Sequence, residues 1–144
     1  MTIISERAAA DTQAVEQLAV RWAKAWNDHD ADAVAAMCDG TLVYDEPALG
    51  ETVYGREPIR EFVRLCDRAF PDHTFAFEGV YAEVARRAVL VAWRFAGTSA
   101  KTGARVEFHG DDRLELGPDG LITEYRCLYD YGFFLRQVNQ GAAV

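Results

Sequence analysis

A chain of 144 residues is long enough to bury a core and a ligand cavity without disulfides or metal. With 50% hydrophobic and 26% charged residues, its composition excludes a disordered chain. The formal net charge of -8 argues against nucleic acid or an anionic membrane as partner, because both are met with clustered Lys and Arg, and leaves an apolar small molecule as the expected partner.

The N-terminus, "MTIISERAAADT", has no basic segment followed by an apolar one. No run approaches the roughly 18 apolar residues of a membrane span. The expectation is one cytoplasmic domain over residues 1–144, with an ordered core of about 10–137 and flexible ends. Cys38, Cys66 and Cys127 form neither a C-x-x-C nor a Cys/His cluster, so buried reduced thiols are expected, with no disulfide, no metal and no cofactor.

From Asp11 onward, Val15, Leu18, Ala19, Trp22, Ala23 and Trp26 recur at the spacing of an amphipathic helix, which ends near "NDHD". Asp30 is placed to cap a short second helix, "ADAVAAMC", and Gly40 to stop it. "TLVYDEP" reads as a strand. "REPIREFVRLCDRAF" then sets Ile59, Phe62, Val63, Cys66 and Phe70 on one helical face, closed by Pro71. Beyond it the period becomes two, with strands expected in "HTFAFEGVYAEV", "RAVLVAWRFAGT", "RVEFHGDDRLEL" and "LITEYRCLYDY", separated by the turns "KTGA" and "GPDG". Helices first and an antiparallel sheet afterwards define an α+β domain, with three N-terminal helices packed on one face of a curved sheet.

Strand alternation sorts the acids, since successive residues point to opposite faces. In "VEFHGDDRLEL", Val106, Phe108, Gly110, Asp112, Leu114 and Leu116 share one face, which makes Asp112 the one acid among apolar neighbours. Burial raises a carboxyl pKa and favours the neutral form. Asp112 is therefore a candidate neutral hydrogen-bond donor, or alternatively a residue at a bulge beside Gly110. Leu42, Tyr44 and Glu46 share one parity of the first strand, and Asp45 falls on the other as a solvated or turn-bonding residue. Tyr125, Cys127, Tyr129 and Tyr131 form a face with polar tips, and Trp93 pairs with Phe95. His73 and His109 are expected at ordinary surface or edge positions.

The run "YDEPALGETVYGREPIREFV" and the later "DRLELGPDGLITEYRCLY" resemble the ketosteroid isomerase family. The wider resemblance, from the first helix to about Phe134, is to the nuclear transport factor 2-like superfamily of cone-shaped α+β domains, which includes SnoaL-like polyketide cyclases, limonene epoxide hydrolases and scytalone dehydratase. It implies a curved, mostly antiparallel sheet whose concave face the helices cover, and a homodimer formed through the outer sheet face, with which Val43 and Leu128 are compatible. It places Glu46 on the general base and Asp112 on the protonated oxyanion donor. Trp22 stands where that family carries its oxyanion tyrosine, and Tyr44, Tyr125 or Tyr129 is left to supply a phenol. The epoxide hydrolases' Asp-Arg-Asp arrangement is absent, because Trp93, Phe95 and Cys127 fall on its positions.

The expected site is thus Glu46 and Asp112 as catalytic residues within a substrate wall of Trp22, Tyr44, Phe62, Trp93, Phe95, Phe108, Tyr125, Cys127 and Tyr129. The expected activity is cofactor-free proton transfer on a hydrophobic cyclic ketone. SnoaL-like polyketide cyclisation, with Asp112 as the one acid/base group, and a binding module without turnover are the alternatives.

Overall fold

The computed structural model describes residues 2–140. The first helix, α1, runs Thr2–Asn27, reaching further back than the apolar stripe alone indicates. Leu18, Ala19, Trp22 and Trp26 of that stripe are buried, and Val15 and Ala23 are half-buried. Asp30 caps α2 (Ala31–Ala36), its side chain accepting a hydrogen bond from the Ala33 N–H at 3.0 Å, which satisfies one of the first-turn donors. Gly40 does not end this helix. Met37 caps it, Cys38 already belongs to the strand β1 (Cys38–Asp45), and Gly40 lies inside that strand.

A two-residue strand, β2 (Val53–Tyr54), follows, and then α3 (Arg56–Ala69). Ile59 and Val63 of α3 are buried while Glu57, Glu61, Arg64 and Arg68 stay in water, the division an amphipathic helix requires. Phe70, the residue before Pro71, leaves the helix at φ -140 and ψ 75, in keeping with the steric limit on pre-proline residues. The remaining strands are β3 (Thr74–Glu83), β4 (Ala88–Thr98), β5 (Arg105–Leu116) and β6 (Ile122–Leu128). A fourth helix, α4 (Tyr131–Gln140), replaces the end of the last expected strand, and Tyr131 opens it. Met1 and residues 141–144, part of the expected flexible ends, lie outside the described residues.

The six strands form one curved, unclosed sheet in the order β2-β1-β6-β5-β4-β3. Only β1 and β6 run parallel; the other neighbours are antiparallel. The β4–β5 ladder is unbroken from Ala88↔Glu115 to Thr98↔Arg105. The bulge considered beside Gly110 is therefore absent, and Asp112 keeps its inward parity between buried Leu114 and Phe108. Helices cover the concave face: Trp22 of α1 lies on Phe77 of β3 with ring centroids 5.5 Å apart, and Phe62 of α3 meets Tyr44 of β1 at 6.2 Å. α4 sets Phe134 against Phe108 at 5.5 Å. Between helices and sheet lies an aromatic core that leaves room for a cavity.

Candidate functional site

The cavity has a volume of about 260 Å³, near the lower end of small-molecule pockets. Glu46, Asp112 and all nine expected wall residues, Trp22, Tyr44, Phe62, Trp93, Phe95, Phe108, Tyr125, Cys127 and Tyr129, line it. It is shaped by elements far apart in sequence: α1 supplies Trp22, β1 Tyr44, β4 Trp93 and Phe95, β5 Phe108 and Asp112, and β6 Tyr125 and Cys127. Tyr131, expected on the same face as Tyr125, Cys127 and Tyr129, also lines it, as do Trp26, Phe75 and Phe134, which were missed. Phe134 was hidden by the unexpected α4, although Asp130 ahead of "YGFF" is a cap signal: its side chain accepts from the Phe133 N–H at 2.9 Å.

Asp112 is 3% exposed and its two oxygens are treated differently. Oδ2 accepts from the Tyr125 hydroxyl at 2.5 Å and from the Trp22 indole N–H at 3.1 Å. The Trp22 N–H is shared with the Tyr125 oxygen at 2.7 Å. Oδ1 has no hydrogen-bond partner among the described residues. Burial pushes the Asp112 pKa up from 3.8 to about 7, with the Glu46 charge adding to the rise; the Tyr125 hydroxyl, the Trp93 indole and the Cys127 thiol oppose it by favouring the carboxylate. The two indoles thus act differently: Trp22 makes the hydrogen bond, whereas Trp93 comes near enough to favour the charge yet leaves its own N–H without a full bond.

Glu46 lies one residue beyond β1, in the turn where the Leu49 N–H bonds to the Glu46 carbonyl at 2.9 Å. Its side chain is folded inward at 4% exposure, on the parity of Leu42 and Tyr44. Oε1 accepts from the Tyr129 hydroxyl and from the Ala48 N–H at 2.9 Å. Burial raises the Glu46 pKa, and these two donors with the Cys127 thiol restrain the rise. Cys127 interacts with both carboxyls, and so lies between the acids on one cavity wall. Asp45 points the other way, where it accepts from Thr52 Oγ1 at 2.5 Å and faces Arg126 at 3.8 Å.

His109 is exposed and bonded to Glu78. His73, in contrast to the expected edge position, is 1% exposed. Its Nδ1–H donates to the Phe70 carbonyl at 2.8 Å, and burial pushes its pKa down, which keeps the ring neutral. Sequence alternation missed it because the residue just precedes β3 and packs beneath the helices. His29, Asp67 and His73 bring three ligand-type atoms within 4.8 Å of one another. However, the two imidazoles are stacked, with centroids 3.9 Å apart and planes within 5°. Their lone pairs lie in parallel planes, so one ion cannot sit in the plane of both rings, as imidazole coordination requires. The geometry is that of a stacked pair beside an acid.

An unclosed curved sheet roofed by helices, with two carboxyls in one aromatic cavity, defines a cone of the nuclear transport factor 2-like class. Residues 19–125 match the model of the SnoaL-like domain, and the chain belongs to that family. Similar solved structures include a Catenulispora acidiphila protein of ketosteroid isomerase-like fold in complex with trimethylamine (19% identity, 83% of this chain and 90% of that one, TM-score 0.74). A second is an epoxide hydrolase/cyclase-like enzyme of pyran-ring formation in the polyether salinomycin (22% identity, 85% and 95%, TM-score 0.74). A third is an epoxide hydrolase from M. tuberculosis (22% identity, 92% and 93%, TM-score 0.69). At these identities the likeness establishes the fold. No curated protein matches the chain.

Proposed function

We propose that this protein is a cofactor-independent enzyme that moves a proton next to the carbonyl of a hydrophobic cyclic ketone. The observation that supports it most strongly is the unequal treatment of the Asp112 carboxyl: Oδ2 is held by Tyr125 and Trp22, and Oδ1 is left without a partner in an aromatic cavity that also contains Glu46. In the proposed reaction the Glu46 carboxylate takes a proton from the carbon beside the carbonyl. The C–H electron pair moves into the new C=C bond and the carbonyl electrons onto oxygen. Asp112, neutral when protonated on Oδ1, donates to that oxygen as its charge develops. In a β,γ-unsaturated ketone the oxygen electrons then re-form the carbonyl, the double bond shifts to the α,β position, and Glu46 returns the proton to the γ carbon, which completes an isomerisation without net change in atoms or electrons. The raised pKa of Glu46 strengthens it as a base, and a pKa of about 7 keeps much of Asp112 protonated near neutrality.

An aldol-type cyclisation shares the first proton abstraction and differs in that the enolate attacks a second carbonyl of the same chain. The family match to the SnoaL-like domain favours it as the second form of the reaction. Incubation with a 5-ene-3-ketosteroid, monitored by conjugated-enone absorbance, tests the isomerase form. Glu46→Gln and Asp112→Asn are expected to abolish turnover while circular dichroism stays native, and full activity in both variants would end the proposal. We also propose a homodimer through the outer sheet face, where Leu128 and Tyr54 are 55% and 69% exposed. A monomeric mass by light scattering would exclude it.

A further inference from the structure

We propose that His29 and Asp67 form a one-proton clamp: a proton taken from solvent onto His29 Nδ1 closes a hydrogen bond to Asp67 Oδ1 and ties α3 to the turn between α1 and α2. The clamp uses neither Glu46 nor Asp112, so it stands or falls separately from the chemistry proposed above. Three observations carry it.

First, the hydrogen bonds decide which ring nitrogens carry hydrogen, because a backbone carbonyl only accepts. His29 Nε2 lies 2.9 Å from the His73 carbonyl, and His73 Nδ1 lies 2.8 Å from the Phe70 carbonyl. Each of those nitrogens therefore bears the N–H, and the other nitrogen of each neutral ring is a bare lone pair. Second, His29 Nδ1 faces Asp67 Oδ1 at 3.4 Å, and Asp67 Oδ1 has no hydrogen-bond partner among the described residues. Acceptor meets acceptor, and the desolvation cost is relieved only when a hydrogen comes between them. At 25% and 26% side-chain exposure, His29 and Asp67 remain within reach of solvent protons. Third, the site holds one proton. The imidazoles are stacked with centroids 3.9 Å apart, so a second would set two cations face to face, and burial already disfavours charge on His73.

The other charged groups nearby are Arg68 of α3, which acts on Asp67, and Asp72 of the α3–β3 loop, which acts on His73 and is bonded to Thr98. Asp28 is paired with Lys24, and Asp30 caps α2; β4 offers only the uncharged Phe95 and Gly97. Burial raises the Asp67 pKa and the His29 charge brings it down, so imidazolium and carboxylate favour each other. The clamp is thus made at the acidic end of the range in which histidine changes charge, about pH 5 to 8, and lost as pH rises through it. It bears on the cavity because its anchors adjoin wall residues. Trp26 precedes His29, Cys66 and Phe70 flank Asp67, Phe75 follows His73, and all four line the cavity. His29 itself sits at φ 56, a left-handed conformation that persists in a non-glycine residue when its contacts over-determine it.

The chain has three histidines, so long-range proton–nitrogen NMR follows every ring, with exposed His109 as the reference and His29→Gln to assign the signals. Wild-type His29 is expected to carry hydrogen on Nε2 alone at about pH 8 and on both nitrogens at about pH 5.5, while His73 stays in its neutral Nδ1–H form. Amide protection, corrected for intrinsic exchange, is read at Phe70 and at Phe75, whose N–H groups bond to the Cys66 carbonyl and Asn27 Oδ1. It is expected to fall about tenfold between those pH values, the weight of one hydrogen bond to a charged group. In Asp67→Asn the side-chain amide donates to the neutral Nδ1 and needs no proton, so this pH dependence is expected to vanish. A His29 that bears hydrogen on Nδ1 at pH 8, or a proton that enters His73 before His29, would overturn the clamp on wild type alone. So would wild-type protection flat in pH, or an Asp67→Asn protein whose protection falls with pH as wild type does. None of these outcomes touches ketone turnover, which rests on Glu46 and Asp112.

Discussion

Asp112→Asn tests the electrostatics of the site without any substrate. Asp112 has its pKa raised from 3.8 to about 7 by burial, so between those limits the folded protein holds a proton that the unfolded chain has released. The native state then binds more protons than the unfolded one, and stability falls as pH rises. This contribution is fully present below about pH 4 and is lost as pH passes through about 7. Each pH unit in that window carries about 1.4 kcal/mol, and the whole swing is roughly 4 kcal/mol. Asparagine fills the same space and does not titrate. Urea unfolding of both proteins at intervals from pH 4 to 8 isolates the effect as the difference between them, with other titrating groups common to both. The variant is expected to lose its disadvantage, or gain an advantage, by several kcal/mol across the window. A stability difference flat in pH would refute the raised pKa and the neutral-donor role built on it.

Trp22→Phe removes a donor to Asp112 Oδ2 that favours the carboxylate, so the Asp112 titration is expected to move to higher pH, as read from the carboxyl carbon by NMR. Gly110→Ala forces a methyl to within 2.3 Å of the Trp93 ring; overpacking of this kind costs about 1–3 kcal/mol, seen as a Tm lower by several degrees. Tyr129→Phe deletes a donor to Glu46 Oε1 and is expected to raise the Glu46 pKa further, shifting the acidic limb of any pH–rate profile upward. An unmoved limb would dissociate Tyr129 from the base.

Alternation was enough to place Asp112, whereas Glu46 was singled out by the ketosteroid isomerase resemblance, since both parities of its strand hold an apolar residue. The parity of Leu42, Tyr44 and Glu46 carried the last of these inward even though it lies beyond the strand end, because the turn continues the strand's direction for one residue. The β5 parity held because its ladder with β4 has no register shift. Three things were not legible. Which phenol serves which acid depends on the neighbour order β1-β6-β5, since that order brings Tyr125 to Asp112 and Tyr129 to Glu46, and no local pattern encodes it. The fourth helix was masked by the tyrosines at 125, 129 and 131, whose shared strand parity extends past Leu128, where β6 ends. The burial of His73 likewise follows from packing against His29 and Phe95, contacts made across the fold.

The central claim is that Glu46 and Asp112 work as one acid/base pair on a ketone in the aromatic cavity. Deuterium uptake from D2O at the α-carbon of 2-tetralone, followed by NMR, measures it most directly. Wild type is expected to accelerate exchange over buffer, and Glu46→Gln and Asp112→Asn each to lower that rate by about 100-fold or more. A ketone that binds without enzyme-accelerated exchange, or exchange at the wild-type rate in both variants, would contradict it.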